Sequence, residues 1–157
     1  MDDLQAFENW ADPLLAKLTP AARRKLAMDV GRALRRSQQK RIAAQQAPSG
    51  SPFEPRKPRK KAEDRPRAKS GRIKRKAKAM FAKLRTAKMM TIERDANGVS
   101  IGWSNRVARI ARVHQEGLSS QVAPGGVMYR YPVRQVLGLS QSDRDMIRDM
   151  LTDALAP

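Results

Sequence analysis

One histidine, His114, and no cysteine set the limits of the chemistry open to this 157-residue chain. An imidazole working as a general base needs a nucleophile and an orienting group within hydrogen-bond reach, and a metal needs further His, Cys or carboxylate ligands. His114 lies in VARIARVHQEG among apolar neighbours, with no second His or Cys and no close set of carboxylates. The fragments RDAN (94–97) and SNR (104–106) make no nucleophile, base and orienter constellation, and neither a P-loop nor a dinucleotide glycine pattern occurs. A thiol nucleophile, a disulfide and a thiolate metal site are excluded by composition. These residues point to a binding or assembly protein rather than an enzyme, with no catalytic residues, metal or cofactor to assign.

The residues that remain able to do something are the cations. The formal net charge is +18, and it is unevenly spread. Residues 1–20 carry Asp2, Asp3, Glu8 and Asp12 against Lys17, a net of −3, and residues 140–157 carry four Asp against Arg144 and Arg148, a net of −2. The middle of the chain therefore holds +23. A field of that size attracts phosphate backbones, acidic membranes or acidic protein partners and makes the isolated monomer self-repelling. Two groups stand out as partner-binding candidates: Arg56, Lys57, Arg59, Lys60, Lys61, Arg65 and Arg67 in a proline-rich arm, and Arg35, Arg36, Lys40 and Arg41 on a basic helix face.

The elements that position them can be read from periodicity. An amphipathic helix with Leu4, Phe7, Ala11, Leu14, Leu15 and Leu18 at helical spacing follows Asp2 and Asp3, with a break expected at Pro13. Thr19-Pro20 is an N-cap followed by proline at the first helical position, opening a helix expected to run to about Gln46. From Ala47 to Ser70, Pro48, Pro52, Pro55, Pro58 and Pro66 forbid a helix, and Phe53 is the one large apolar residue. That segment is too poor in apolar surface to order itself by burial, so it is expected to order on a partner. Ile73, Ala77, Met80, Phe81 and Leu84 then match a helical stripe.

MMTIERDANGVSIGWS reads as a β-hairpin turning at Asn97-Gly98, and the helix holding Val107, Ile110, Ala111 and His114 stops at Gly117. VMYRYPV is a further strand, pushed to an edge or end by Pro132. Ser140 and Asp143 form a capping box with Asp in place of Glu, opening a last helix whose Met146, Ile147, Met150, Leu151 and Leu155 point inward. The expected class is α+β: a small antiparallel sheet, a hairpin plus at least one further strand, packed by amphipathic helices and carrying a long basic arm. Residues 1–46 form an N-terminal helical region, 47–70 the arm and 71–157 the α+β core, one domain with 1–46. The acidic start is unlike a secretory signal and no apolar run approaches bilayer length, so no membrane is expected and the product reads as intracellular and soluble.

Nucleic acid is a candidate on charge alone, with non-specific, salt-dependent contact to phosphates. Sequence-specific recognition is disfavoured, because the basic runs lack interleaved aromatics and no DNA- or RNA-binding motif can be placed.

The ordered set RRSQQKRIAAQQAPSGSPFEPRKP, KAMFAKLRTAKMM, VARIARVHQEG and YRYPVRQVLGLSQSDRDMI resembles the phage virion morphogenesis family, from about Leu14 to Leu155. Where that family commonly has a PDG turn, Pro48-Ser49-Gly50 keeps the glycine and loses the acidic side chain. The resemblance implies a structural virion protein that completes the tail and joins it to the head. It implies a homo-oligomeric, hexameric ring at the tail top or neck, assembled in the host cytoplasm and touching other tail and neck or connector proteins. Non-specific contact with packaged DNA would be compatible, and no catalytic residues come with the family. The alternatives are a terminator capping the tail tube and a non-specific nucleic-acid-binding protein.

Overall fold

The structure is a computed structural model that describes residues 2–56, 79–95 and 98–156. Helix α1 spans Asp2–Leu15 and α2 spans Pro20–Ala43. The Thr19 hydroxyl accepts from the Ala22 N–H at 3.2 Å, and Pro20 follows at a position whose N–H would be orphaned anyway. The break expected at Pro13 does not occur: Pro13 sits in the last turn of α1, and the Ala16 N–H still reaches the Asp12 carbonyl at 3.0 Å. Helix α2 ends slightly before the expected Gln46, where Gln45 adopts a φ of 60°.

Strands β1 (Thr91–Arg94) and β2 (Val99–Gly102) form the expected hairpin, with Ile92 opposite Ile101. The Asp95 carboxylate accepts from the Gly98 N–H at 2.9 Å, closing the turn; residue 97 lies outside the described residues. Gly31 lets α2 lie against this hairpin, because a Cβ there would stand 2.7 Å from Val99 Cγ2. Helix α3 (Asn105–Glu116) ends at Gly117 in the left-handed region, φ 66°. The further strand is present as β4 (Met128–Arg130), and it pairs with β3 (Ser119–Gln121) in a second two-stranded antiparallel ladder rather than joining the hairpin. Helix α4 (Gln141–Leu155) opens on the anticipated capping box: Ser140 Oγ accepts from the Asp143 N–H at 3.2 Å, and Asp143 Oδ2 accepts from the Ser140 N–H at 2.9 Å.

The architecture is α+β, with α2 packed on α4 and on both strands of the first hairpin. The core joins Ile42 of α2, Phe53, Met80, Leu84, Met90, Ala111 of α3 and Val136. Each large aliphatic side chain fully buried there contributes about 1.5–3 kcal/mol. The helical stripe read over Met80, Phe81 and Leu84 is not a helix where it is described. Residues 80–90 run through consecutive turns and bends, with Phe81 at a φ of 61°. Met80 and Leu84 are buried as the stripe required, so the spacing identified the inward residues but not the backbone that carries them.

Candidate functional site: the root of the basic arm

Chain entry to the arm is built by a short reversal after α2. The Gly50 N–H bonds the Ala47 carbonyl at 2.9 Å, and Gly50 takes the φ of 85° that a Cβ would resist. Phe53 then donates its N–H to the Gln45 carbonyl at 2.7 Å and turns its ring into the core. The ring meets Phe81 edge-on at 5.5 Å, and a chain of edge-to-face contacts continues through His114, Tyr131 and Tyr129 at 4.9, 4.9 and 5.0 Å. Such pairs contribute about 0.5–1.5 kcal/mol each beyond their burial.

Arg134 holds the outgoing chain. Its side chain is buried, and it donates from Nε to the Glu54 carbonyl at 2.7 Å and from Nη2 to the Pro55 carbonyl at 3.2 Å. Nη1 faces His114 Nδ1 at 3.4 Å. Burial pulls the guanidinium below its ordinary value, opposed by the charge of Glu54. His114 is pushed down to about 4, by burial first and then by the positive charges of Arg134 and Arg56. Near neutral pH the imidazole is therefore uncharged and can accept from Arg134. Its surroundings are aromatic and cationic, so it is a packing residue, with no carboxylate or nucleophile beside it among the described residues.

Gln45 holds the returning chain. Its Oε1 accepts from the Met80 N–H at 2.7 Å, and its Nε2 donates to the Met80 carbonyl at 3.0 Å and to the Ile42 carbonyl at 2.7 Å. The side-chain amide thus satisfies both backbone groups of one residue, as a neighbouring strand would. Gln115 repeats the device on Leu137, at 2.9 and 3.0 Å. The two roots of the arm are consequently pinned to one core. Between them, residues 57–78 contain twelve Lys or Arg and two acidic residues.

The sequence candidates fall into three groups. Lys57, Arg59, Lys60, Lys61, Arg65 and Arg67 lie outside the described residues, while Arg56 is exposed at the arm's departure point. Arg36 and Lys40 are exposed on α2 and Arg35 is half-buried. Arg41 is set apart from these. Its guanidinium turns inward, donating to the carbonyls of Gln46 at 3.0 Å, Gln135 at 3.3 Å and Val136 at 3.1 Å, and to Gln38 Oε1. Its Nε is buried without a hydrogen bond, and burial lowers its pKa against the attraction of Asp143. Gln38 relays between the two, donating to the fully buried Asp143 at 3.4 Å.

Gln45, Gln115, Arg134 and the Gln38–Asp143 contact went unread from sequence. Gln45, Gln115 and Arg134 reach backbone groups of Met80, Leu137, Glu54 and Pro55, and Gln38 reaches the Asp143 carboxylate, all many residues away, which leaves no local pattern. Asp143 alone carried a local signal, as the third helical residue, the one that closes the capping box with Ser140. Among the described residues no group of three His, Cys, Asp or Glu could hold a metal ion, and no helix is long and apolar enough to cross a membrane.

No solved structure matches the chain. It is 36% identical over 152 residues to tail completion protein S of Escherichia phage P2, a match covering 96% of each chain. The model of the phage virion morphogenesis family spans residues 2–156, from α1 to the end of α4, and the chain belongs to that family.

Proposed function

We propose that this protein is a structural subunit that completes the phage tail and joins it to the head, acting as a hexameric ring at the tail top and docking through its basic arm. One observation carries the arm's role: Arg134 and Gln45 fix both roots of the segment on one folded core, so its cations are presented from a fixed frame. A segment with twelve basic and two acidic residues over 57–78 suits an acidic surface on a tail or connector protein. The relative's name supports tail completion, and the sixfold ring follows by analogy with a contractile tail. Glu54 and Pro55 deliver the chain at Arg56, where the cluster Arg56, Lys57, Arg59, Lys60 and Lys61 begins; Arg65 and Arg67 extend it. Arg35, Arg36 and Lys40 form the proposed second basic surface, with Arg41 bracing α2 from within.

The test is complementation. Particles lacking the protein are expected to accumulate as filled heads and separate tails. Charge reversal at Arg56, Lys57, Arg59, Lys60 and Lys61 is expected to leave DNA packaging intact and to prevent joining. Joined, infectious particles from the reversed variant would sink the arm-docking mechanism. Failed packaging with normal tails would favour a nucleic-acid role, and tails of irregular length would favour a terminator.

A further inference from the structure

The face built by α3 and the β3–β4 ladder keeps apolar side chains in water. Val127, Met128, Val122 and Val133 are 77%, 64%, 61% and 59% exposed, and Ile110 and Leu118 join them. Ile110 and Val122 line a cleft of about 380 Å³, and Leu118 and Met128 line a second that shares Arg109, Val113, Ser120 and Gln121 with the first. The patch is therefore continuous, of the kind that marks an interaction surface. Its rim is cationic. Arg106 and Arg109 line the first cleft and make no ion pair among the described residues, and Arg112 beside them bonds Glu116 at 2.9 Å.

The opposite chemistry occurs on the same molecule. Helix α1 carries four carboxylates and no basic residue; Glu8 and Asp12 are exposed, and Trp10 is 41% exposed with Arg148 of α4 over its ring. Helix α4 packs on α1 and adds the exposed Asp149 and Asp153. Here an aromatic stands among anions, and on α3 apolar residues stand among cations.

We infer that the α3 and β3–β4 face receives the acidic, Trp10-bearing α1–α4 end of a second copy of this chain. This deepens the ring reading above and rests on it. Copies of a chain with net charge +18 repel one another, so a stable contact between them must set the negative surface against a positive one. The two surfaces belong to different elements, which makes the contact head-to-tail, the type that closes into a ring when its rotation allows. An apolar centre with a charged rim is also the usual anatomy of a specific interface.

Because the chain has no native cysteine, introduced thiols report the contact directly. Ala6→Cys on α1 and Val122→Cys beside the cleft are made in separate copies, co-produced during infection, and treated in purified particles with a short bis-maleimide. A cross-linked dimer is expected only when both variants are present. Adding Arg106→Glu and Arg109→Glu to the Val122→Cys copy is expected to reduce that dimer roughly tenfold or more, the factor set by about 1.4 kcal/mol. Adding Glu8→Arg and Asp12→Arg to the Ala6→Cys copy is expected to restore it. Joined, infectious particles without the dimer overturn the inference and leave the tail-joining role standing. A dimer unchanged by the arginine reversal overturns it too, and if joining is lost at the same time, an acidic partner protein is the occupant. Normal joining in phage lacking the protein altogether would instead overturn the functional reading, independently of the cross-link.

Discussion

The arm root and the α3 face treat water in opposite ways. At the root, polar groups are withdrawn from solvent and bonded to the backbone or to side chains: Arg134 to Glu54 and Pro55, Met80 to Gln45, and both Nη atoms of Arg41 to Gln46, Gln135 and Val136, its Nε alone going without. On the α3 face, apolar groups are left in solvent, with nothing among the described residues to cover them. Burying a polar group is tolerable when it is hydrogen-bonded, whereas exposing several large apolar groups together brings a folded monomer no gain. The contrast separates residues that hold the fold from residues kept for something outside it.

The largest expected effect is at the root. Arg134→Ala removes the donors to Glu54 and Pro55 and opens space beside His114, and it is expected to destabilise the protein by about 2–4 kcal/mol in urea unfolding. Gln45→Ala, which orphans both backbone groups of Met80, is expected to cost about 1–3 kcal/mol. A loss below about 0.5 kcal/mol at both would erase the contrast between the two regions.

A smaller effect is expected at His114. Its folded value of about 4 lies below the ordinary 6.5, so the unfolded chain binds the proton first as pH falls. Stability contributed by the neutral ring is complete above pH 6.5, declines between about 6.5 and 4, and levels off below. His114→Gln should flatten that part of the pH profile while leaving phage assembly largely intact. A profile unchanged by the substitution would show that the ring is not shielded as described.

The smallest effect on folding is expected on the α3 face. Val127→Ser should change stability by no more than about 0.5 kcal/mol, as surface substitutions usually do. A clear drop in Tm would mean that Val127 packs within the monomer, and the two regions would no longer differ.

Sequence patterns revealed what is local. Thr19-Pro20, the Ser140 to Asp143 box, Gly117 and the hairpin around Ile92 and Ile101 each act through neighbours a few positions away, and each was legible. The segment around Phe81 was misread because its spacing from Met80 and Leu84 fits a helix equally well, while the clamp on the backbone of the preceding residue, Met80, comes from Gln45, 35 residues earlier. Strand β3 was missed because Ser119, Ser120 and Gln121 show no apolar alternation. Arg134 was hidden among 33 basic residues, indistinguishable by type from cations that face solvent.

The Gln45 clamp also bears on how this protein can change over generations. Its two ends are 35 positions apart, and the entropy of closing a flexible loop grows only with the logarithm of its length, about 0.6 kcal/mol for each doubling. Residues inserted into or deleted from the arm thus leave the core at nearly constant stability. A lineage meeting a differently shaped or differently charged partner could remodel the arm without redesigning the helices and hairpins that carry it.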